Sequence, residues 1–352
     1  MAHLAVDQVI GAGEDDRRGL FNTTAARLGT TPQNVEKDFW VCWTLDQLFN
    51  RLPAGGPRLL FKGGTSLSKG FGLIARFSED IDVTVFRDDL GEGESLTELD
   101  ALSGKKRKAW LENLSDVCAG YIQGRLRGEL EALTAATVER LGLPAGALRI
   151  AEDPADRLNL RVVYPSALAA DAYIAGHVTI ESGARSALDP NAPLAVTPYL
   201  AAEVADLDLT VANVTTVDPE RTFWDKVLIL HGLRAAFDSK GVLRGEGQRV
   251  SRHYYDLHRL VQSDRGERAL ADQVLAENCA LHARLFFNRP DANLAAARPP
   301  TYGLVPHDEM TARLAKDYDL MARMIFGTPP AFEDVLASIV ALEARLNATP
   351  AS

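Results

Sequence analysis

Asp80 and Asp82 stand one residue apart in DIDVTVF (80–86), and Gly63-Gly64 stand upstream in FKGGTSLSK (61–69). Side chains alternate across a strand, so Asp80, Asp82 and Thr84 share one face and Ile81, Val83 and Val85 the other. Two carboxylates so placed are about 6–7 Å apart at Cα. Like charges that close need something positive between them, and hard, oxygen-liganded Mg²⁺ is the natural candidate. For D-x-D alone, a solvated acidic edge strand is the competing reading.

The upstream stretch shifts the balance. RLLFKGG reads as a short strand running into Gly63-Gly64, with a helix opening at Thr65-Ser66. Backbone N–H groups at such a start face an anion, and glycines let a phosphate approach the backbone. Ser66 adds a hydroxyl donor. A glycine pair alone is more often a turn. Followed by a two-carboxylate strand, it brings a triphosphate and a metal to one cleft. A third acid lies in HVTIESG, where His177, Thr179 and Glu181 fall on the polar face opposite Val178 and Ile180. Three carboxylates can hold two Mg²⁺ ions about 3.5–4 Å apart for in-line displacement at phosphorus. The alternative for Glu181 is a strand-end surface residue.

Several elements must position these groups. TTPQNVEKDFWVCWTLDQLF (30–49) reads as a helix, with Thr31 as N-cap, Pro32 in the first turn, and Val35, Phe39, Trp40, Trp43 and Leu48 at helical spacing. PAGGP (53–57) is a loop. TSLSKGFGLIARF reads as a helix weakened by Gly70 and Gly72, at about 1 kcal/mol each. Residues 88–104 read as an acidic loop, and Lys105 to Leu143 as mostly helix with a stripe of Trp110, Leu114, Val117 and Tyr121. LNLRVVYPS (158–166) and AYIAGHVTIESG (172–183) read as two strands of a meander. Residues 186–218 give no clear pattern beyond a short strand in ANVTTVD. From DPERTFWDKVLILHGL (218–233) helix follows helix, broken by DSKGVLRGEGQRV (238–250).

The chain has 352 residues, 46% of them hydrophobic, and a net charge of −10. That is room for two domains and a sizeable core, and it excludes a basic coat for duplex DNA. The three cysteines, Cys42, Cys118 and Cys279, lack paired spacing and read as reduced core thiols. MAHLAVDQVI lacks the basic and apolar regions of a signal peptide, and no apolar run approaches the roughly 20 residues that span a bilayer. A cytoplasmic location without membrane attachment is expected.

The order strand, Gly-Gly-Thr/Ser, helix, D-x-D, then a single acid on a later strand resembles the polymerase-β-type nucleotidyltransferase superfamily. The set EKDFW, FKGGTSLSK, RFSEDIDV, IESGAR, ERTFWDKVLILH and SRHYYDLHRL, in that order, resembles more narrowly the AbiEii/MenT-like nucleotidyltransferase toxins. The resemblance runs from about residue 30 to 262. It departs from the family's glycine–serine signature, present as Gly64-Thr65-Ser66, and its gap to Asp80 is longer than in minimal superfamily members.

The resemblance implies an α/β (α+β) fold: a polymerase-β-like core with a mixed sheet over 1–217, and a helical lobe over 218–352 that closes a nucleotide cleft. It implies metal-dependent transfer of NMP from an NTP, with Mg²⁺ (or Mn²⁺) on Asp80, Asp82 and Glu181. Gly63, Gly64, Thr65 and Ser66 would meet the nucleotide, Lys226 its phosphates, and Asp256 would stand at the active site. An aspartate near that lysine can orient its ammonium. The implied acceptor is RNA, a tRNA 3′ end, and a cognate antitoxin is the implied partner. Nucleotidylation of a protein side chain, or nucleotide binding without turnover, are the alternatives.

Other residues read more locally. Arg221 and Asp225 pair on a helix surface, and Phe223, Trp224, Val227 and Leu230 are core. Tyr254 and Tyr255 face apart, one of them buried. Arg252, Asp256 and Arg259 share a helix face that, without the family, reads as solvated. Lys105-Lys106-Arg107-Lys108 oppose the dipole at a helix start, as an RNA contact or a solvated face. Arg234, Lys240, Arg244, Arg249 and Arg252 mark a mobile RNA clamp or a surface loop. Ser78, by period 2, lies on the side of Asp80 and Asp82. A phosphate there would repel the triphosphate or capture a metal, which makes it a candidate regulatory position against the plainer reading of a boundary serine.

Overall fold

Ile81, Val83 and Val85 are fully buried on one face of their strand, and on the other face Asp82 is half-buried while Thr84 is fully buried too. The computed structural model of this chain describes residues 2–169 and 176–348. Seven strands form one sheet: β1 (Leu59–Lys62), β2 (Ile81–Val85), β3 (Arg149–Glu152), β4 (Asn159–Val163), β5 (His177–Gly183), β6 (Asn191–Val196) and β7 (Val211–Val217). Their order is β3-β4-β5-β2-β1-β7-β6. β2 runs parallel to β5 and β1 parallel to β7, while the other neighbours are antiparallel. The sheet is therefore mixed and the class α/β, as expected. Residues 172–175 of the expected second meander strand lie outside the described residues.

The chain divides into two compact units. The first holds Met1–Gly72, Phe77–Glu94 and Lys108–Val217, and so the whole sheet. The second holds Leu73–Arg76, Ser95–Arg107 and Asp218–Ser352.

In the first unit, helix Pro32–Asp46 begins as its sequence says, with Thr31 capping the N–H of Asn34 at 3.3 Å. Its burial is not confined to one stripe: every residue from Asn34 to Leu45 is buried, charged ones included. The helix expected after the glycines is cut short. A turn over Gly63–Thr65 passes into a wider π-type turn over Ser66–Gly70 and stops. Gly72, at φ 63°, turns the chain away where a longer helix was expected. Residues 104–141 are nearly continuous helix, but the fully buried stripe is Leu114, Cys118, Ile122, Leu126 and Leu130. Trp110, Val117 and Tyr121 are only half-buried. Cys42, Cys118 and Cys279 are buried and unbridged.

In the second unit, the supposed acidic loop contains a helix, Leu96–Ala101, started by a reciprocal Ser95–Glu98 capping box. Helix Pro219–Lys240 buries Phe223, Trp224, Val227 and Leu230 as expected. Arg221 differs from expectation: it is 1% exposed, 3.6 Å from Asp225 and donating to Asn278 at 2.7 Å, so it is a core residue. Tyr254 and Tyr255 are both buried. The glycine-dotted segment is pinned. Lys240 and Arg244 both pair with Asp291, and Asp317 accepts from the N–H groups of Gly247 and Ser251 and from the Ser251 hydroxyl. No described helix is long and apolar enough to cross a membrane.

The short piece Leu73–Arg76 is stitched into this second unit. Ala75 receives the Phe326 N–H on its carbonyl at 2.8 Å and donates its own N–H to the Tyr255 hydroxyl at 3.3 Å. Arg76 grips Asp256 with two bonds, of 2.7 and 2.8 Å. Lys226 takes the second oxygen of the same carboxylate at 2.7 Å. Burial pushes the Asp256 carboxyl up, but Arg76 and Lys226 outweigh it and hold it well below the usual carboxylate range. Removing the shared carboxylate would leave both buried cations uncompensated, at about 3–5 kcal/mol. Asp256→Asn is therefore expected to lower stability by about that amount in denaturant unfolding. A loss within the ordinary range of surface substitutions would show that the clamp contributes little.

Candidate active site

β1, β2 and β5 are adjacent, and their registers align three charged residues. Lys62 is the cross-strand partner of Asp82, and Asp82 is the partner of Glu181. Cross-strand partners project to the same face, with neighbouring strands about 4.8 Å apart. Lys62, Asp82 and Glu181 thus form a row across three strands. Lys62 Nζ lies 3.4 Å from Asp82 Oδ1. Asp80 stands just before β2, where its carboxylate accepts from the hydroxyl of Thr179, two residues before Glu181 on β5.

The glycine turn is fitted to this row. Gly63 has φ 80°, and a Cβ there would lie 1.9 Å from Asp82 Oδ2. Only glycine permits both the backbone conformation and the close approach of the carboxylate. The neighbouring hydroxyls are engaged inside the protein. Thr65 donates to the carbonyl of Asp80, and Ser66 donates to the carbonyl of Gly63 at 2.9 Å. Both residues are fully buried. Their hydroxyls brace the turn and lash it to the lead-in of the aspartate strand.

Three buried charges of helix Pro32–Asp46 complete the frame. Glu36 accepts from the Ser166 hydroxyl and the Ala167 N–H. Lys37 meets Glu79 at 3.1 Å, and Asp38 meets Lys69 at 2.8 Å while accepting from the Tyr199 N–H. Lys69 also lies 3.5 Å from the centre of the Tyr199 ring. The Asp80 carboxyl is pushed up to about 6, first by burial, then by the neighbouring Glu79, with a smaller push from Asp82. Lys37 and the Thr179 hydroxyl pull the other way without cancelling these.

The first unit thus gathers Asp80, Asp82, Glu181 and the Gly63–Ser66 turn. Lys226 and Asp256 belong to the second unit, where Asp256 binds both Lys226 and Arg76. Asp256 is fully buried, although its helix face looked solvated in sequence. Ser78 is half-buried, in neither helix nor strand, between Phe77 and Glu79. Sequence reasoning missed Lys62, Lys37, Glu79 and Arg76. Lys62 had a visible signal: it ends the strand before the glycines. The run Glu36-Lys37-Asp38 inside an aromatic helix was a signal too.

Among the described residues, no group of three or more His, Cys, Asp or Glu is arranged to hold a metal ion. The donor chemistry nevertheless fits a hard divalent cation. Asp82 and Glu181 offer carboxylate oxygens in adjacent register, and Asp80 adds a third at the head of the Asp82 strand. The fold favours the protonated form of Asp80, so that stabilisation is full below the ordinary value of 3.8 and is lost as pH rises through about 6. Metal-free Asp80→Asn is therefore expected to exceed wild type in stability at neutral pH, by about 2–3 kcal/mol at most. Unfolding curves in chelator should show this gap opening between about pH 4 and 7. Parallel curves across that range would mean that Asp80 is not penalised by its surroundings.

The chain has known relatives. The solved structure of MenT4, a nucleotidyltransferase toxin from Mycobacterium tuberculosis, is similar to it at 15% identity, covering 95% of this chain and 90% of that one with a TM-score of 0.47. A search of curated protein sequences gave no match. The family model described as nucleotidyl transferase AbiEii toxin, type IV toxin–antitoxin system, matches residues 47–338, most of the chain. The chain belongs to this AbiEii family of nucleotidyltransferase toxins.

Proposed function

We propose that this toxin transfers NMP from an NTP to an RNA acceptor, a tRNA 3′ end, with a divalent metal, Mg²⁺ or Mn²⁺, held by Asp80, Asp82 and Glu181. The observation that carries this reading is the row of Asp82 beside Glu181, closed against Gly63 at the glycine turn. When bound, the metal neutralises phosphate charge and orients the triphosphate for attack. The protein's own groups do the rest. The turn at Gly63 and Gly64, braced by Thr65 and Ser66, presents backbone to the nucleotide. One of these three acids would also help to activate the acceptor hydroxyl.

Lys226 enters the proposal as the cation that offsets triphosphate charge. Both oxygens of Asp256 are taken by Arg76 and Lys226, so Asp256 acts as a positioning residue. Ser78, beside Glu79 and two residues before Asp80, is the proposed point at which phosphorylation would silence transfer. An antitoxin encoded with the toxin is the expected partner, and the cytoplasm the expected place of action.

The test is incubation of the protein with labelled NTP, Mg²⁺ and either total RNA or lysate protein. Label should enter RNA, and Asp82→Asn should abolish it while leaving the melting curve intact. Label entering protein would replace the acceptor, and no label in either would favour nucleotide binding without turnover. Lys226→Ala should raise the NTP concentration needed for half-maximal rate; an unchanged dependence would leave Lys226 as a structural partner of Asp256.

The acceptor has its own test. Lys105, Lys106 and Lys108 are exposed at the start of helix Gly104–Tyr121. Alanine at 105–108 should leave NTP binding unchanged, lower RNA affinity and flatten its salt dependence, by about one unit of slope for each phosphate no longer neutralised. An unchanged salt slope would make the run a solvated face.

A further inference from the structure

We propose that Lys62 is the displaceable cation of the carboxylate row: it holds Asp82 when no metal is bound, yields that carboxylate to the metal, and turns its ammonium to the triphosphate. The inference deepens the metal–nucleotide reading above and rests on it. Its basis is a difference between three lysines. Lys37 and Lys69 are sunk, with side chains 2% and 3% exposed, at 3.1 and 2.8 Å from their carboxylates. They are fixed parts of the frame. Lys62 and Asp82 are each 28% exposed, and their 3.4 Å contact is the loosest of the three.

The register makes this contact unavoidable, because Lys62 is placed directly opposite Asp82. An ammonium on that face competes with any cation that approaches Asp82 from solvent. The same residue is followed at once by Gly63 and Gly64, so an anion drawn to that turn arrives beside the Lys62 stem. A flexible four-carbon stem that reaches solvent can swing from one oxygen anion to another. A screened, partly exposed pair gives up little when it breaks. Metal and triphosphate would therefore be admitted together: the metal takes the carboxylate, and the phosphates take the released ammonium.

Two equilibrium measurements on Lys62→Met and Lys62→Arg test the exchange. The first is Mn²⁺ binding without nucleotide, read from the resonance of free Mn²⁺. The second is NTP binding at saturating Mn²⁺, where the metal has taken the carboxylate and the ammonium is released. Lys62→Met should bind Mn²⁺ about two- to fivefold more tightly than wild type. It should bind NTP roughly tenfold more weakly at saturating Mn²⁺. Lys62→Arg, which keeps the charge, should stay near wild type in the second measurement, with melting curves showing that both variants are folded. Unchanged Mn²⁺ affinity in Lys62→Met overturns the competition, and unchanged NTP affinity overturns the handover. Equal losses in both variants indicate a packing role and overturn the proposal. If wild type binds no Mn²⁺ and Asp82→Asn behaves identically, the metal reading itself fails.

Discussion

Glu36, Lys37 and Asp38 are consecutive, helical and buried. Successive helix residues point about 100° apart, so no single solvent-facing side could serve all three. Each must find its partner in a different piece of chain. Glu36 takes the segment after β4, Lys37 takes Glu79 ahead of β2, and Asp38 takes Lys69 and the backbone of Tyr199. An uncompensated buried charge costs several kcal/mol, more than most single packing contacts return. Helix Pro32–Asp46 can be buried only if those segments stand where they do, and the rest of the candidate site hangs from that condition.

The consequence for the site is direct. Lys69 closes the turn that Gly63 opens, and Glu79 precedes Asp80, so one helix fixes both ends of the stretch carrying the site. The same pairings consume charge. Lys37 is matched by Glu79 and Lys69 by Asp38, and at Asp80 burial and the neighbouring Glu79 raise the carboxyl more than Lys37 lowers it. The carboxyl near 6 is the electrostatic residue of this arrangement.

Much of this was written in local patterns. The period of two in DIDVTVF, the Thr31-Pro32 start and the aromatic core of ERTFWDK each depend on a few neighbouring residues, and each holds in the structure. What was illegible depends on partners far along the chain. Helical periodicity could not separate Asp256 from the exposed Arg252 and Arg259, because the cations that bury it come from Arg76 and Lys226. The strands β3 and β6 flank the sheet, and β6 carries Pro193, so neither shows clean alternation. The Ser95–Glu98 box and the glycines at 70 and 72 were local signals, and each changed an element boundary.

The long interval between the glycine turn and the aspartates also has a physical account. After Gly72 the chain leaves the first unit, contributes Leu73–Arg76 to the second, and rejoins the first at Phe77. A direct connection from turn to strand would not need these residues. Their bonds to Tyr255, Phe326 and Asp256 show what the extra length does. The strand lead-in is covalently continuous with a segment that the second unit holds by a buried carboxylate. Both oxygens of Asp256 are occupied by Arg76 and Lys226, so any part it took in the proposed transfer would be exerted through those two cations. One of those cations, Arg76, stands four residues before Asp80 in the chain.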